Sequence, residues 1–420
     1  MNKTKLSKIY KNNRSGMFYV SSGMVKTFIQ AITGFIVLRW ISPEEIGLWQ
    51  SFTVFVGYIS ILTLGVTSGL SRDLPFWIGK GDFNVAMEKL KAAGAYISRL
   101  SLIIIVIVGI FSSISFMFQL LSLNQSIMLF SAFSIGAFSL QTNLLGATFR
   151  SDKAFRKLGY IQFGMACLHL VLLPIVYVYG IWGYVAYQLI NTLSLLWGYK
   201  VFRPYRVNYK YSKSELLRLI KIGFPMYFWN YLTTISRTIP RLILIIFGSP
   251  FLVGLFAPAE SINKAVLNLP NYIGRFIFPQ MSFKYGKNSD INEVIRYTFK
   301  AATLLFALMT LISLILYLLI PYLMIYIFPK YVESTRAVQL IIFSGIFYSI
   351  NSLMHSCLNS LKKYQFFKLI IPLKILSLFL FSGISYFISK NLLISVAVGA
   401  LLGELINTIH YWFILKFKIQ

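Results

Sequence analysis

Acidic residues are scarce in this chain: 12 Asp and Glu stand against 40 Lys and Arg among 420 residues, for a formal net charge of +28. Histidine and cysteine are scarcer still, at three and two. With so few carboxylates, none are paired at a membrane face where acid–base chemistry of a transferase would need them. The His and Cys positions show no metal-ligand spacing. No Gly-x-x-x-x-Gly-Lys-[Ser/Thr] loop occurs, so the chain is not an ATPase of that type. Charged residues of both signs make up only 12% of the chain and hydrophobic ones 57%, which excludes the soluble globular class. Cys167 and Cys357 fall inside apolar runs and say nothing about redox compartment.

What is present is a succession of apolar runs. At about 20 residues per span, they predict twelve membrane helices over residues 17–41, 46–70, 95–118, 127–149, 158–179, 182–199, 221–247, 251–279, 298–320, 335–360, 366–388 and 392–415. The basic residues are unevenly placed between them, with 29 of the 40 at 1–16, 71–94, 150–157, 200–221, 284–300, 362–368 and the C-terminus. All of these segments lie on one side. The positive-inside rule makes that side cytoplasmic and puts both termini there. The first helix has a basic flank and no small-residue cleavage site, so it reads as retained.

The chain also resembles itself. Ser42-Pro43-Glu44-Glu45-Ile46-Gly47-Leu48-Trp49 follows the first span, and Ser249-Pro250-Phe251-Leu252-Val253-Gly254-Leu255-Phe256 follows the seventh, at an offset of 207. At that offset Gly16 also matches Gly223, and Gly79-Lys80 matches Gly286-Lys287. The organisation expected is a basic tail (1–16), an N-terminal six-helix lobe (17–200), a cytoplasmic linker (201–220) and a C-terminal six-helix lobe (221–420). Because six is even, the lobes are parallel repeats, with a site expected between them near mid-depth.

Cations inside the apolar runs are the candidate site. Each costs about 2.5–3.5 kcal/mol to insert at a helix centre, so they must face water or an anion. Glu260, Lys264, Asn268, Asn271 and Arg275 all fall within about 40° of Lys264 at 100° per residue, as one polar stripe. Asn230, Thr233, Arg237 and Arg241 form another in the preceding span. Lys26 lies about 14 Å into the first span and shares a face with Ser22, Gln30 and Thr33. Lys26, Gln30, Arg237, Lys264, Asn268, Asn271 and Arg275 are the candidate substrate-binding residues. Arg39 and Arg241 either line the same cavity or snorkel, and Lys374 is placed to reach the inner interface. Glu404, near mid-span, fits either an ion-coupling carboxyl or a buried hydrogen-bonded one, and Glu260 is a second ion-coupling candidate. Gln141, Asn143 and His169 read as interhelical hydrogen-bonders, and the segment 71–94 as a solvated connection.

The twelve spans, the Ser-Pro-x-x-[Ile/Val]-Gly-Leu motif after helices 1 and 7, Lys-Ile-Gly-Phe-Pro at 221–225 and Phe-Pro-Gln-Met-Ser at 278–282 together resemble the polysaccharide (O-antigen, Wzx-type) flippases of the multidrug/oligosaccharidyl-lipid/polysaccharide exporter superfamily. The resemblance covers nearly the whole chain. It implies an all-α polytopic membrane protein with two six-helix lobes around a central cationic cleft. Helices 1, 2, 7 and 8 would line that cleft, so that Lys26, Arg237, Lys264 and Arg275 face one cavity. It further implies a non-enzymatic transporter of the bacterial cytoplasmic (inner) membrane. Its cargo would be a polyprenyl-diphosphate-linked oligosaccharide, moved to the outer leaflet without a cofactor and driven by H+, Na+ or the membrane potential. Other polysaccharide-assembly membrane proteins are expected neighbours, and nucleic acid is not a partner. Three alternatives stand beside this reading: a multidrug cation antiporter of the same superfamily, a peptidoglycan-precursor lipid flippase, and a membrane-embedded transferase.

Overall fold

The computed structural model of the chain describes residues 3–288, 290–361 and 363–418; it leaves undescribed the side chains of residues 3–14, 226, 269, 271, 272, 275, 276, 278–280, 282–288, 364 and 418. Among the described residues every regular element is helical: α1 (Lys3–Trp40), α2 (Pro43–Ile59), α3 (Val66–Lys80), α4 (Phe83–Met117), α5 (Leu123–Ser151), α6 (Phe155–Val171), α7 (Leu173–Phe202), α8 (Lys213–Ser236), α9 (Ile239–Phe247), α10 (Pro250–Leu255), α11 (Ala257–Asn288), α12 (Ile291–Tyr326), α13 (Thr335–Ser360), α14 (Phe367–Ser389) and α15 (Leu392–Phe413). Among the described residues, nine helical segments are long and apolar enough to cross a membrane. The protein is a polytopic, all-helical membrane protein. The expected spans not among the nine are 158–179, 221–247 and 251–279. The first two are interrupted, the one at Leu172 and the other at Arg237–Thr238 ahead of Pro240, and the third carries the polar stripe.

Packing divides the chain into two compact units, Met1–Ile41 with Trp49–Tyr231, and Ser42–Leu48 with Leu232–Gln420. In the first, α1 lies along α6, α4 along α5, and α3 packs on both α4 and α5. A core built on Val66, Leu70, Leu90, Ile97, Leu144 and Leu219 joins α3, α4, α5 and the first turns of α8. In the second, α13 packs on α11, α12 and α15, and α14 packs on α15. α13 is consequently enclosed, with 72% of its span window buried against 22% for α12.

Several helices start where their sequences supply a cap. Asp82 accepts from Val85 N at the start of α4, and Ser122 and Gln125 form a reciprocal capping box on α5. Gly180, at φ 55°, breaks α7 and so separates the fifth from the sixth expected span.

Two expectations are corrected. The second span, expected unbroken over 46–70, ends as an α-helix at Ile59, passes through a 3-10 turn over Ser60–Thr63, and restarts as α3 after Leu64 and Gly65, both left-handed at φ 49° and 74°. No proline announces this break. Gly65 is required because its backbone abuts Gly223 and Phe224, where a Cβ would come within 2.8 Å of main-chain atoms. The carbonyls freed by the break are met by three phenols. Tyr231 donates to Tyr58 O at 3.0 Å, Tyr227 to Ser60 O at 2.5 Å, and Tyr96 to Leu62 O at 2.6 Å. Irregular backbone at membrane depth requires such internal partners.

The segment 71–94 is not a solvated connection. It is largely helical, and Lys89 is only 3% exposed, bound to Asp73 at 2.9 Å and Glu215 at 3.4 Å. The two glycines matched at the repeat offset differ in surroundings: Gly223 is tightly enclosed by the Gly65 and Gly69 backbone, whereas a Cβ on Gly16 would meet open space.

The non-helical stretch before α8 is pinned to the first unit by tyrosines. Tyr205 donates to Asp152 Oδ1 at 2.9 Å, Tyr209 occupies the notch left by Gly94, and the Arg99 guanidinium sits 5.1 Å from the Tyr211 ring centre. Burial, reinforced by the Asp152 carboxylate, pushes the Tyr205 hydroxyl pKa up.

The Ser-Pro motif has a physical reading in both copies. Ser42 and Glu45 cap each other at the start of α2, with Ser42 N to Glu45 Oε2 and Glu45 N to Ser42 Oγ both at 3.3 Å, and Pro43 takes the first helical position. Ser249 caps Leu252 N at 3.4 Å with Pro250 in the equivalent place; Leu252 stands where Glu45 does, so the box is half complete. Within the second unit the two copies meet. A Cβ on Gly47 would strike the Pro250 carbonyl, and one on Gly254 would strike the Pro43 carbonyl. Each glycine lets the other copy's first helical turn approach to backbone contact.

Candidate functional site

In the second unit the expected polar stripe over Asn230–Arg241 is broken at Arg237–Thr238, where α8 ends and α9 begins. The break separates the roles of the two arginines. Arg237 remains exposed at the helix end and donates to the Tyr348 hydroxyl at 2.6 Å, with its guanidinium 4.7 Å from that ring's centre. A phenol and a π face hold this cation in place without cancelling its charge. Arg241 does not reach out to an interface: it pairs with the Glu260 carboxylate through Nε and Nη2, with only 13% of each side chain exposed.

Lys264 sits one helical turn beyond Glu260 and reaches the same carboxylate at 3.4 Å, leaving its own side chain 72% exposed. Around this point, therefore, Arg241 and Lys264 share one carboxylate, while Arg237 is held by the Tyr348 hydroxyl and has no acidic partner among the described residues. Asn268, one turn further along α11, is half-buried. The side chains of Asn271 and Arg275 lie outside the described residues.

In the first unit, α1 presents Lys26 half-exposed, with no acidic partner among the described residues. Ser22 and Thr33, from the same face, are buried at 3% and 1%. Gln30 hydrogen-bonds His169 Nε2 at 2.9 Å; His169 Nδ1 meets the Tyr187 hydroxyl at 2.6 Å, and Tyr187 donates to Thr33 Oγ1 at 3.4 Å. This chain of contacts ties α1 to α6 and α7 and fixes the helical face on which Lys26 stands. Arg39, at the other end of α1, is exposed beside Trp40, whose ring meets Tyr177 edge-on at 5.2 Å.

Glu404 of α15 is neither solvated nor unpartnered. Its Oε1 receives Lys374 Nζ at 2.5 Å and its Oε2 receives Asn351 Nδ2 at 2.7 Å. Lys374 thus turns inward, 7% exposed, instead of snorkelling. The same region holds His355, hydrogen-bonded to the Tyr411 hydroxyl at 2.9 Å and stacked on Phe367 at 4.3 Å.

Sequence reasoning missed the partners of Arg237, Arg241 and Glu404 rather than the charges. Tyr348 and Asn351 lie on one face of α13, three residues apart, and reach Arg237 and Glu404 respectively. A polar residue in the middle of an apolar span was the available signal for Asn351.

Comparison with known proteins agrees with this architecture. A profile of the family described as "Polysaccharide biosynthesis protein" matches residues 36–305. Among curated proteins none is similar in sequence. Among solved structures, an inward-facing multidrug resistance transporter of the MATE family in the MOP superfamily aligns at 15% identity over 95% of this chain and 98% of its own, with a TM-score of 0.73. The lipid II flippase MurJ in an inward closed conformation aligns at 14% identity over 94% of this chain and 87% of its own, at 0.71. A MOP superfamily transporter from Pyrococcus furiosus, described by the reverse polarity of its binding pocket, aligns at 15% identity over 97% and 96%, at 0.65. At these identities the neighbours show the fold, while the profile spans more than half of the sequence. The chain belongs to the polysaccharide biosynthesis protein family, as a multi-pass, all-helical membrane protein whose fold is that of these MOP superfamily structures.

Proposed function

We propose that this protein moves a polyprenyl-diphosphate-linked oligosaccharide, such as an O-antigen repeat unit, from the cytoplasmic to the outer leaflet of a bacterial inner membrane. Both termini are cytoplasmic in this reading, and transport proceeds by alternating access. The observation that carries it is the surplus of positive charge in the second unit, where, among the described residues, Arg241 and Lys264 share the Glu260 carboxylate and Arg237 is held by the Tyr348 hydroxyl instead of an acid. A diphosphate head group carries the complementary charge, and a cation held by a phenol, or one exposed beside a shared carboxylate, keeps the capacity to bind it. Lys26 adds a further cation from the first unit.

An organic cation would meet repulsion at the same place, which disfavours the antiporter alternative. The Pyrococcus furiosus neighbour, described as having a pocket of reverse polarity that suggests a different function, offers a parallel within the superfamily. An inside-negative potential favours outward movement of the anionic head group by about 2.3 kcal/mol per charge per 100 mV. Entry of H+ or Na+ through Glu404 or Glu260 is the rival drive; each carboxylate already carries a cationic partner, which supports the electrical account.

The test is flipping of a fluorescent lipid-linked oligosaccharide in proteoliposomes by the Arg237→Glu and Lys264→Glu variants. Each should lose at least about tenfold in rate, or about 1.4 kcal/mol of barrier, while remaining monodisperse in detergent. Wild-type rates in both would remove the anionic-cargo reading. Collapse of the potential at constant pH gradient should abolish flipping, and undiminished flipping would favour ion coupling.

A further inference from the structure

A second cationic feature lies away from those residues, where α12 and α15 flank α13. The two outer helices leave a groove between them. Its open head, about 600 Å³, is lined by Asn292, Arg296, Phe299, Trp412 and Lys416. It runs on into an apolar part of about 570 Å³, lined by Phe306, Ile350, Met354 and Ile409 among others, with Phe299 and Trp412 shared by both. Ile350 and Met354 of the buried α13 form the floor. From Phe299 to Phe306 the apolar part descends about 10 Å along α12, against a leaflet half-thickness of about 15 Å.

The charge at the head is one-sided. Arg296 and Lys416 are both exposed and have no acidic partner among the described residues. Lys416 instead lies over the Trp412 ring, 4.7 Å from its centre, so that an interfacial aromatic carries the cation on its face. Both groups sit on the side that the distribution of basic residues assigns to the cytoplasm, at the level of a lipid head group. A polar, cationic mouth above an aromatic pair and an apolar trough running toward mid-membrane has the chemistry of one amphiphile: a negatively charged phosphate at the interface and a hydrocarbon chain below it.

We propose that this groove is a specific site for one anionic glycerophospholipid of the cytoplasmic leaflet, with its phosphate between Arg296 and Lys416 and an acyl chain lying over Ile350 and Met354. Its occupant bridges α12 and α15 across α13, two helices that each pack on the helix between them. The proposal is independent of the identity of the flipped cargo and rests on that reading only for the side of the membrane.

Native mass spectrometry of the full chain, purified in detergent and titrated with phosphatidylglycerol or phosphatidylcholine, tests it. The wild type should retain one phosphatidylglycerol preferentially. Arg296→Gln/Lys416→Gln should weaken that retention about thirtyfold, or about 2 kcal/mol for two interfacial cations. The control pair Lys157→Gln/Lys200→Gln, equally basic and exposed but outside the groove, should change it by less than about threefold, or about 0.7 kcal/mol. Thr303→Phe, which fills the apolar part while leaving both charges, should also displace the lipid. Equal retention of phosphatidylcholine, or equal loss in the control pair, would overturn the proposal. So would competition by glycerol phosphate alone, which would mark a simple anion site, or stoichiometric displacement by a polyprenyl diphosphate, which would assign the groove to the cargo.

Discussion

The ion pair between Lys374 and Glu404 makes the sharpest demand on this structure. The lysine side chain is 8% exposed and the carboxylate 12%, and both carboxylate oxygens are engaged, one by the ammonium at 2.5 Å and one by Asn351 at 2.7 Å. Replacing Lys374 with Met keeps length and apolar bulk but leaves the carboxylate facing a single neutral donor. Breaking a buried pair in this way costs about 3–5 kcal/mol, because the remaining charge is uncompensated, whereas removing both charges is often nearly neutral. Lys374→Met and Glu404→Gln should therefore each destabilise by about 3 kcal/mol or more. The double variant Lys374→Met/Glu404→Gln keeps a side-chain carbonyl that accepts from Asn351, and it should recover to within about 1 kcal/mol of wild type. Thermal unfolding in detergent micelles, run as a double-mutant cycle, measures the coupling. The same proteins in the flipping assay separate structure from drive: an electrically driven protein should flip normally with the stable double variant, and an ion-coupled one should not. Single variants within about 1 kcal/mol of wild type, or a double no better than the singles, would refute the pairing as an energetic feature.

Three further outcomes follow from the described geometry. Gly254→Ala places a methyl group against the Pro43 carbonyl and should cost about 1–3 kcal/mol or prevent assembly altogether, with Gly34→Ala, which has open space, as the neutral control in the same unfolding assay. Lys89→Met leaves Asp73 without its cation and Glu215 with Arg218 alone, and should destabilise the first unit by about 3 kcal/mol, an effect that Lys89→Met/Asp73→Asn relieves in part. Burial, reinforced by Asp152, makes Tyr205 ionise above its ordinary value of 10.0 in the folded protein, so below that value both states keep the proton and the group adds no pH dependence to stability. Between the ordinary and the raised value the unfolded chain alone releases this proton, so stability declines with pH across that window; Tyr205→Phe should flatten the decline in a pH series of melting temperatures, and an unchanged slope would count against the docking of the linker.

The charges of the candidate site were legible in sequence because a cation in an apolar run is costly wherever it points. Lys26, Arg237 and Lys264 needed only periodicity to be singled out. Their partners were not legible, since Glu260 is one turn from Lys264 in sequence but is also reached by Arg241 from a different helix, across a break that turns a continuous stripe into two. The break in the second span was hidden for a related reason. Leu64 has a left-handed conformation that its side chain does not favour, and it is sustained by Tyr96, Tyr227 and Tyr231, none of which is nearby in sequence. Lys89 was misread because a mixed-charge segment ordinarily faces solvent, and only the approach of α3 and α8 encloses it. The Ser-Pro motifs were recognised as repeats, yet their mutual contact could be seen only in three dimensions.

That contact bears on how the chain could have arisen from a duplicated half. Gly47 and Gly254 are each the steric condition for the other's surroundings, so a side chain acquired in either copy would land on the backbone of its twin. Divergence one copy at a time is closed off at this spot, although it is open elsewhere in the motif, as Leu252 in the place of Glu45 illustrates. The eight-residue likeness between the halves is best understood as a seam that geometry has kept from drifting while the remainder specialised.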